Sequence, residues 1–114
     1  MLIYKILLPS EWDQFEATGR FDGSEFDHES GYIHCSSRTQ VGATAMRVFG
    51  HEPSLVVVAV DANAIAGSIR WEPASDGDLF PHIYESLPID AVVGVHRVAG
   101  AEHVETDVAP ERSE

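Results

Sequence analysis

A histidine stands where a short strand runs into a helix, in the stretch Gly31-Tyr32-Ile33-His34-Cys35-Ser36-Ser37-Arg38-Thr39-Gln40. Strand alternation puts Tyr32, His34 and Ser36 on one polar face and Ile33 and Cys35 on the other, toward a core. Ser37 followed by Gln40 is the capping-box pattern of a helix start. The unpaired N–H groups of such a start, with the helix dipole behind them, favour an anion. A histidine beside it can bind phosphate or move a proton. The chemistry to expect is therefore recognition of a group carrying phosphate or carboxylate.

A second constellation is Arg70-Trp71-Glu72, followed after a Ser-Asp-Gly-Asp loop by Phe80-Pro81-His82-Ile83-Tyr84. If the two segments pair, Arg70 and Glu72 share a face, and His82 and Tyr84 share a face of the neighbouring strand. Arginine holds a phosphate through two parallel hydrogen bonds, and glutamate can orient a ribose hydroxyl or act as a base.

Each of these residues also has a structural reading. His34, His82 and Tyr84 can be hydrogen-bonded framework residues, and Pro81-His82 can shape a turn. Arg70 and Glu72 can pair on the surface, where such a bridge contributes about 0 to 1 kcal/mol. Ser36 and Ser37 suit caps better than nucleophiles, and Trp12, Phe15, Trp71 and Phe80 suit a core. Cys35 lies on the face opposite His34, where a buried thiol is inert. Zinc held by His34, His82 and Glu72 would have suitable ligand types but none of the tight pair spacings of a metal motif. The chain also lacks a glycine-rich phosphate loop, which disfavours a P-loop enzyme and a dinucleotide-binding Rossmann domain.

The elements that must position these groups follow from periodicity and punctuation. Leu2 to Leu7 reads as a first strand, and Leu8-Pro9-Ser10 as a break ending in a capping serine. A short helix follows with Trp12 and Phe15 inward and Gly19 as its left-handed stop. Residues 20 to 30, rich in turn formers, read as an exposed loop. A second helix runs from Arg38 to Phe49, with Val41, Ala45, Val48 and Phe49 as its buried stripe. Leu55 to Val60 has the continuous apolar run of a central strand covered on both faces. Ile69–Glu72, Leu79–Tyr84 and Ala91–Val98 complete the strands. Strands outnumber helices and the helices come early, which favours an α+β domain with a mostly antiparallel or mixed sheet. Residues 1–100 form one domain, and the acidic segment 101–114 reads as a frayed tail.

The 114 residues suit a single domain, and 44% hydrophobic against 23% charged residues is a globular composition. The net charge of -12, from 19 acidic and 7 basic residues, argues against bulk nucleic acid and anionic membrane as partners. A short RNA end stays open if Arg38, Arg70 and Lys5 gather at the cleft. One cysteine allows no internal disulfide. No apolar run approaches the roughly 20 residues of a membrane span, and Met1 to Lys5 lacks the layout of a signal peptide. Cytoplasm is the expected compartment.

Taken together, Ile3-Tyr4-Lys5-Ile6, the Trp12 helix with Gly19, Asp27, Gly31-Tyr32-Ile33-His34-Cys35-Ser36, Gln40, Arg70-Trp71-Glu72 and Phe80-Pro81-His82-Ile83-Tyr84 resemble the DUF952 family of small bacterial proteins, over about residues 1–98. The resemblance implies an ADP-ribosyltransferase-like fold: a split, strongly curved mixed or antiparallel sheet with a few short helices, whose cleft binds NAD in active relatives. Ile33-His34-Cys35-Ser36 is similar to the apolar-His-apolar-Ser strand of the RNA 2′-phosphotransferase branch. Lys5 departs from the arginine or histidine usual at the matching place in active transferases, and no late glutamate has a secure match.

The site expected on these grounds has His34, Glu72 and Tyr84 as catalytic residues, with Lys5, Ser36, Ser37, Arg70, Trp71 and His82 binding the ligand. The expected ligand is NAD, ADP-ribose or a related phosphorylated nucleotide, with transfer or hydrolysis at ribose C1. Two alternatives stand beside it: a non-catalytic ligand-binding or protein-interaction module, and a metal-dependent hydrolase using His34 and His82.

Overall fold

Val56, Val57, Val58 and Val60 are fully buried, because β-branched side chains fill both faces of the strand Leu55–Asp61. The computed structural model describes residues 1–109. In chain order its main elements are β1 (Leu2–Leu7), α1 (Pro9–Thr18), β2 (Arg20–Phe21), α2 (Glu25–Ser30), β3 (Ile33–His34), α3 (Arg38–Phe49), β4 (Leu55–Asp61), β5 (Ile69–Pro73), β6 (Leu79–Ile83), β7 (Leu87–Pro88), β8 (Val92–Val98) and α4 (Val104–Asp107). Three short 3₁₀ turns, Ala62–Ser68, Ile89–Ala91 and Ala101–His103, join them. The class is α+β, and every named strand pair is antiparallel.

β4 is central in a three-stranded sheet, between β1 and β8. Alternation sorts the side chains of β1 and β4 into two cores. Ile3, Leu7, Val56, Val58 and Val60 pack with Trp12 and Phe15 of α1. Tyr4, Ile6, Leu55, Val57 and Ala59 pack with Val41 and Ala45 of α3 and with Val104 and Val108 beyond β8. A second three-stranded sheet has the order β3-β6-β5, and β2 pairs with β7. The two larger sheets meet where the Tyr4 N–H donates to the Ser36 carbonyl at 2.7 Å and the Ser36 N–H returns to the Tyr4 carbonyl at 2.8 Å. This joint brings the β3 segment beside the middle of β1. No helix among the described residues is long and apolar enough to cross a membrane.

Several sequence expectations change. Residues 20–30 are not a continuous exposed loop, since β2 and α2 lie within them. The Ser24 hydroxyl accepts from the Asp27 N–H at 3.1 Å, and Asp27 Oδ2 accepts from the Ser24 N–H at 2.9 Å. That reciprocal pair caps α2 and buries Asp27. Helix α1 begins one residue before Ser10, at Pro9, a residue preorganised for a first helical position. Val48 is exposed and Trp71 is 38% exposed, so neither belongs to the core. The frayed tail is also corrected as far as residue 109: Ala101, Val104 and Val108 are buried, and Arg38 donates to the carbonyls of Glu105 and Val108 at 2.8 Å. The remainder of that segment lies outside the described residues.

Candidate functional site

The register of β3 on β6 sets His34 directly opposite His82, with ring centroids 5.6 Å apart. Two different carboxylates hold the two rings by the same atom. His34 Nδ1 lies 2.6 Å from Asp27 Oδ1, and His82 Nδ1 lies 2.7 Å from Glu72 Oε1. An ionised carboxylate only accepts, so each Nδ1 carries the hydrogen and each Nε2 is left for other use. Neither Nε2 has a hydrogen-bond partner among the described residues. Aromatic rings fix the imidazoles from the sides: Phe26 stacks on His34 at 4.6 Å and Tyr32 on His82 at 4.0 Å.

Asp27 is the hub beneath His34. Its carboxylate accepts from Lys5 Nζ at 3.0 Å and from the His34 N–H at 3.1 Å, besides the bonds to the imidazole and to Ser24. Lys5 Nζ also donates to the His34 carbonyl at 3.0 Å. Burial alone would raise the Asp27 pKa. The His34 ring, the Lys5 charge and the Ser24 and His34 amides outweigh it and hold the carboxyl well below the usual range. The Glu72 carboxylate accepts from the Tyr84 hydroxyl at 2.7 Å as well as from His82. Those two bonds, Tyr84 first, lower the Glu72 pKa, and the same bond raises that of Tyr84.

Both imidazoles line a cavity of about 610 Å³ between β1, α2, β3, α3 and the β5–β6 hairpin. Lys5, Tyr32, Ser36, Thr44 and Arg47 contribute to its polar lining. Ile6, Leu8, Phe26, Val48, Phe49 and Phe80 supply apolar walls. On α3, Thr44 Oγ1 is buried without a hydrogen-bond partner, and one turn on the exposed Arg47 makes no hydrogen bond or ion pair among the described residues. The Cys35 thiol is buried, and burial pushes its pKa up to about 12, so it is no nucleophile.

Of the residues singled out in the sequence, His34, His82, Lys5 and Ser36 line the cavity. Glu72 and Tyr84 stand behind His82 and act on the cavity through it. The others do not converge. Ser37 caps α3, its N–H donating to Gln40 Oε1 at 3.0 Å, and lies outside the lining. Arg70 sits over the Tyr84 ring at 4.9 Å. Trp71 is on the face of β5 opposite Arg70 and Glu72. Arg38 is committed to Glu105 and the C-terminal carbonyls, so Arg38, Arg70 and Lys5 form no basic cluster. Among the described residues no three His, Cys, Asp or Glu side chains gather in a way that could hold a metal ion. The residues passed over were Asp27, Thr44, Arg47 and Phe26. The Ser24-x-x-Asp27 capping pattern and the Thr44/Arg47 spacing of one helical turn were the available signals.

Residues 6–95 match the family model described as "Protein of unknown function (DUF952)". A crystal structure of protein CC0527 from Caulobacter crescentus is 40% identical, with a TM-score of 0.80 over 83% of each chain. A double mutant of that protein gives 40% identity and 0.79 over the same shares. Its solution NMR structure gives 39% and 0.74, over 86% of this chain and 83% of that one. No curated protein matches. The chain belongs to the DUF952 family.

Proposed function

We propose that this DUF952 protein binds a phosphorylated nucleotide of the NAD or ADP-ribose class in the cavity between β1, α3 and the β5–β6 hairpin. The observation that carries the reading is the pair His34 and His82, each oriented through Nδ1 and each with Nε2 unpartnered among the described residues, beside a cavity of about 610 Å³. Imidazole suits phosphate oxygens, Arg47 offers a cation with no partner among the described residues, and the apolar wall suits a base or nicotinamide ring. The meeting of two antiparallel sheets at Tyr4 and Ser36 supports the ADP-ribosyltransferase-like resemblance, which implies a split sheet around an NAD cleft.

A reaction at ribose C1 needs a carboxylate near the developing positive charge; Glu72 is turned to His82 and Tyr84 and is not in the lining, whereas Glu11, Glu25 and Asp27 are. A non-catalytic module that takes a protein segment is favoured by one feature, the exposed Phe26 and Val48 at the cavity edge.

An NMR titration of labelled protein with NAD, ADP-ribose and nicotinamide tests the nucleotide reading. Shifts should gather at Phe26, Tyr32, His34 and His82, and His34→Ala should weaken binding while the domain stays folded. No shifts at millimolar ligand, or unchanged affinity in a folded His34→Ala, would remove the nucleotide from this cleft.

A further inference from the structure

We infer that the cleft also cleaves a small nucleoside phosphodiester, with His34 and His82 as an opposed general base and general acid. The inference rests on the nucleotide reading above and names a substrate class and a reaction for the same site.

The geometry points there in three ways. The rings face one another at 5.6 Å between centroids and are nearly perpendicular, at 69°. The two imidazoles are therefore in edge contact as neighbours on one face of the sheet, and a single phosphoryl group bound over the pair can reach both rings. Next, each ring is locked in one tautomer by a carboxylate on Nδ1, so each presents the same nitrogen to the ligand. Finally, the charge suits a diester. Lys5 is committed to Asp27, leaving Arg47 as a cation without a partner among the described residues at the cavity, in a protein of net charge -12. One available cation, with Glu11 and Glu25 also in the lining, suits a ligand of low charge such as a phosphodiester.

The step balances without a further reagent. For a cyclic nucleotide, a water molecule gives its proton to Nε2 of one ring as its oxygen bonds to phosphorus. The P–O bond to the ribose breaks, and the departing oxygen takes the Nε2 proton of the facing ring, which enters the step as an imidazolium with both nitrogens protonated. The product is a nucleoside monophosphate, and solvent exchange resets the two imidazoles. Glu72 and Asp27 are positioning residues here.

Phosphorus NMR of the full chain with 2′,3′-cyclic AMP tests this, alongside the amide titration with the same compound. The expected result is binding followed by a monophosphate signal. His34→Gln and His82→Gln should each lower the rate by roughly 10²–10⁴-fold. The double variant should lose little more than the worse single one, because the two rings act as a unit. Cyclic-AMP shifts at the cleft with no product would overturn the cleavage and leave the nucleotide reading standing, as would shifts with NAD but none with the cyclic compound. A folded single variant within tenfold of the unmodified rate would also overturn it. If the buried His82→Gln does not fold, His34→Gln decides alone. An absence of shifts with every nucleotide would overturn both readings.

Discussion

The Asp27–His34 and Glu72–His82 arms hold the same ring nitrogen at almost the same distance, 2.6 and 2.7 Å, yet they are built for different ends. Asp27 is 2% exposed and ties three segments together: β1 through Lys5, the cap of its own helix α2 through Ser24, and β3 through His34. Glu72 lies on the β5–β6 hairpin with a third of its side chain exposed, and its further partner is a tyrosine hydroxyl. One arm is a framework element that also orients a histidine. The other orients a histidine and little depends on it. The comparison teaches that equal geometry at a ring does not imply equal cost of removal, because what decides the cost is the charge left behind.

The largest effect expected is on stability. Asp27→Ala leaves the Lys5 ammonium buried and unpaired, and breaking a buried pair from one side costs roughly 3–5 kcal/mol. In a domain of this size that is a large part of the whole. Glu72→Gln keeps an acceptor for His82 and Tyr84 and exposes nothing, so its urea midpoint should stay near that of the unmodified protein. Urea unfolding of both variants checks the contrast. Equal midpoints would mean that the two arms are equivalent and that Lys5 is satisfied in some other way.

The same hub fixes the response to acid. The Asp27 pKa is depressed in the folded state from its ordinary value of 3.8. A depressed carboxylate contributes stability that is fully present above the unfolded value and is lost as pH falls through the folded one. Stability should therefore hold from neutral pH down to the ordinary carboxylate range and then decline below it. Glu72 is shifted in the same direction, so Glu72→Gln should keep most of that decline if Asp27 dominates. Urea midpoints measured stepwise from pH 7 to pH 3 would show it, and a Glu72→Gln curve that is flat in acid would reverse the ranking of the arms.

How much of this was legible in the sequence follows the same division. Strand and helix periodicity placed β1, α3, β4, β5, β6 and β8 nearly at their observed bounds, because each buries a face that must alternate or recur. Alternation also put Arg70 and Glu72 on one face of a strand paired with that of His82, and the register sets Arg70 opposite His82 and Glu72 opposite Phe80. Asp27 was read as turn chemistry because Ser24, Asp27 and the nearby glycines favour turns and caps alike. Only the contacts of Asp27 with Lys5 of β1 and His34 of β3 separate the two. Lys5 gave no sign of being buried, since a strand position cannot show which partner will neutralise it. Trp71 went wrong for a related reason: Ile69 on the same face of β5 packs against the core while Trp71 is 38% exposed, and alternation cannot report where along a strand the covering ends.

Arg47 is the smallest and sharpest test, because it belongs to neither arm. Its guanidinium is exposed at the cavity and makes no ion pair among the described residues, so Arg47→Ala should change stability by no more than about 0.5 kcal/mol. If it meets the ligand phosphate, an exposed charge contact contributes roughly 0.2–1 kcal/mol, at most about a fivefold loss of affinity. That loss should shrink as salt is added, since exposed charges are screened over about 10 Å at 0.1 M. A loss from His34→Ala should not shrink in the same way, because its ring is part-buried against Asp27. Calorimetric titration of both variants at low and high salt separates the two contributions. An Arg47→Ala protein that binds as tightly as the unmodified one at low salt would place the phosphate wholly on the histidine side, with the α3 face of the cavity left to the apolar part of the ligand.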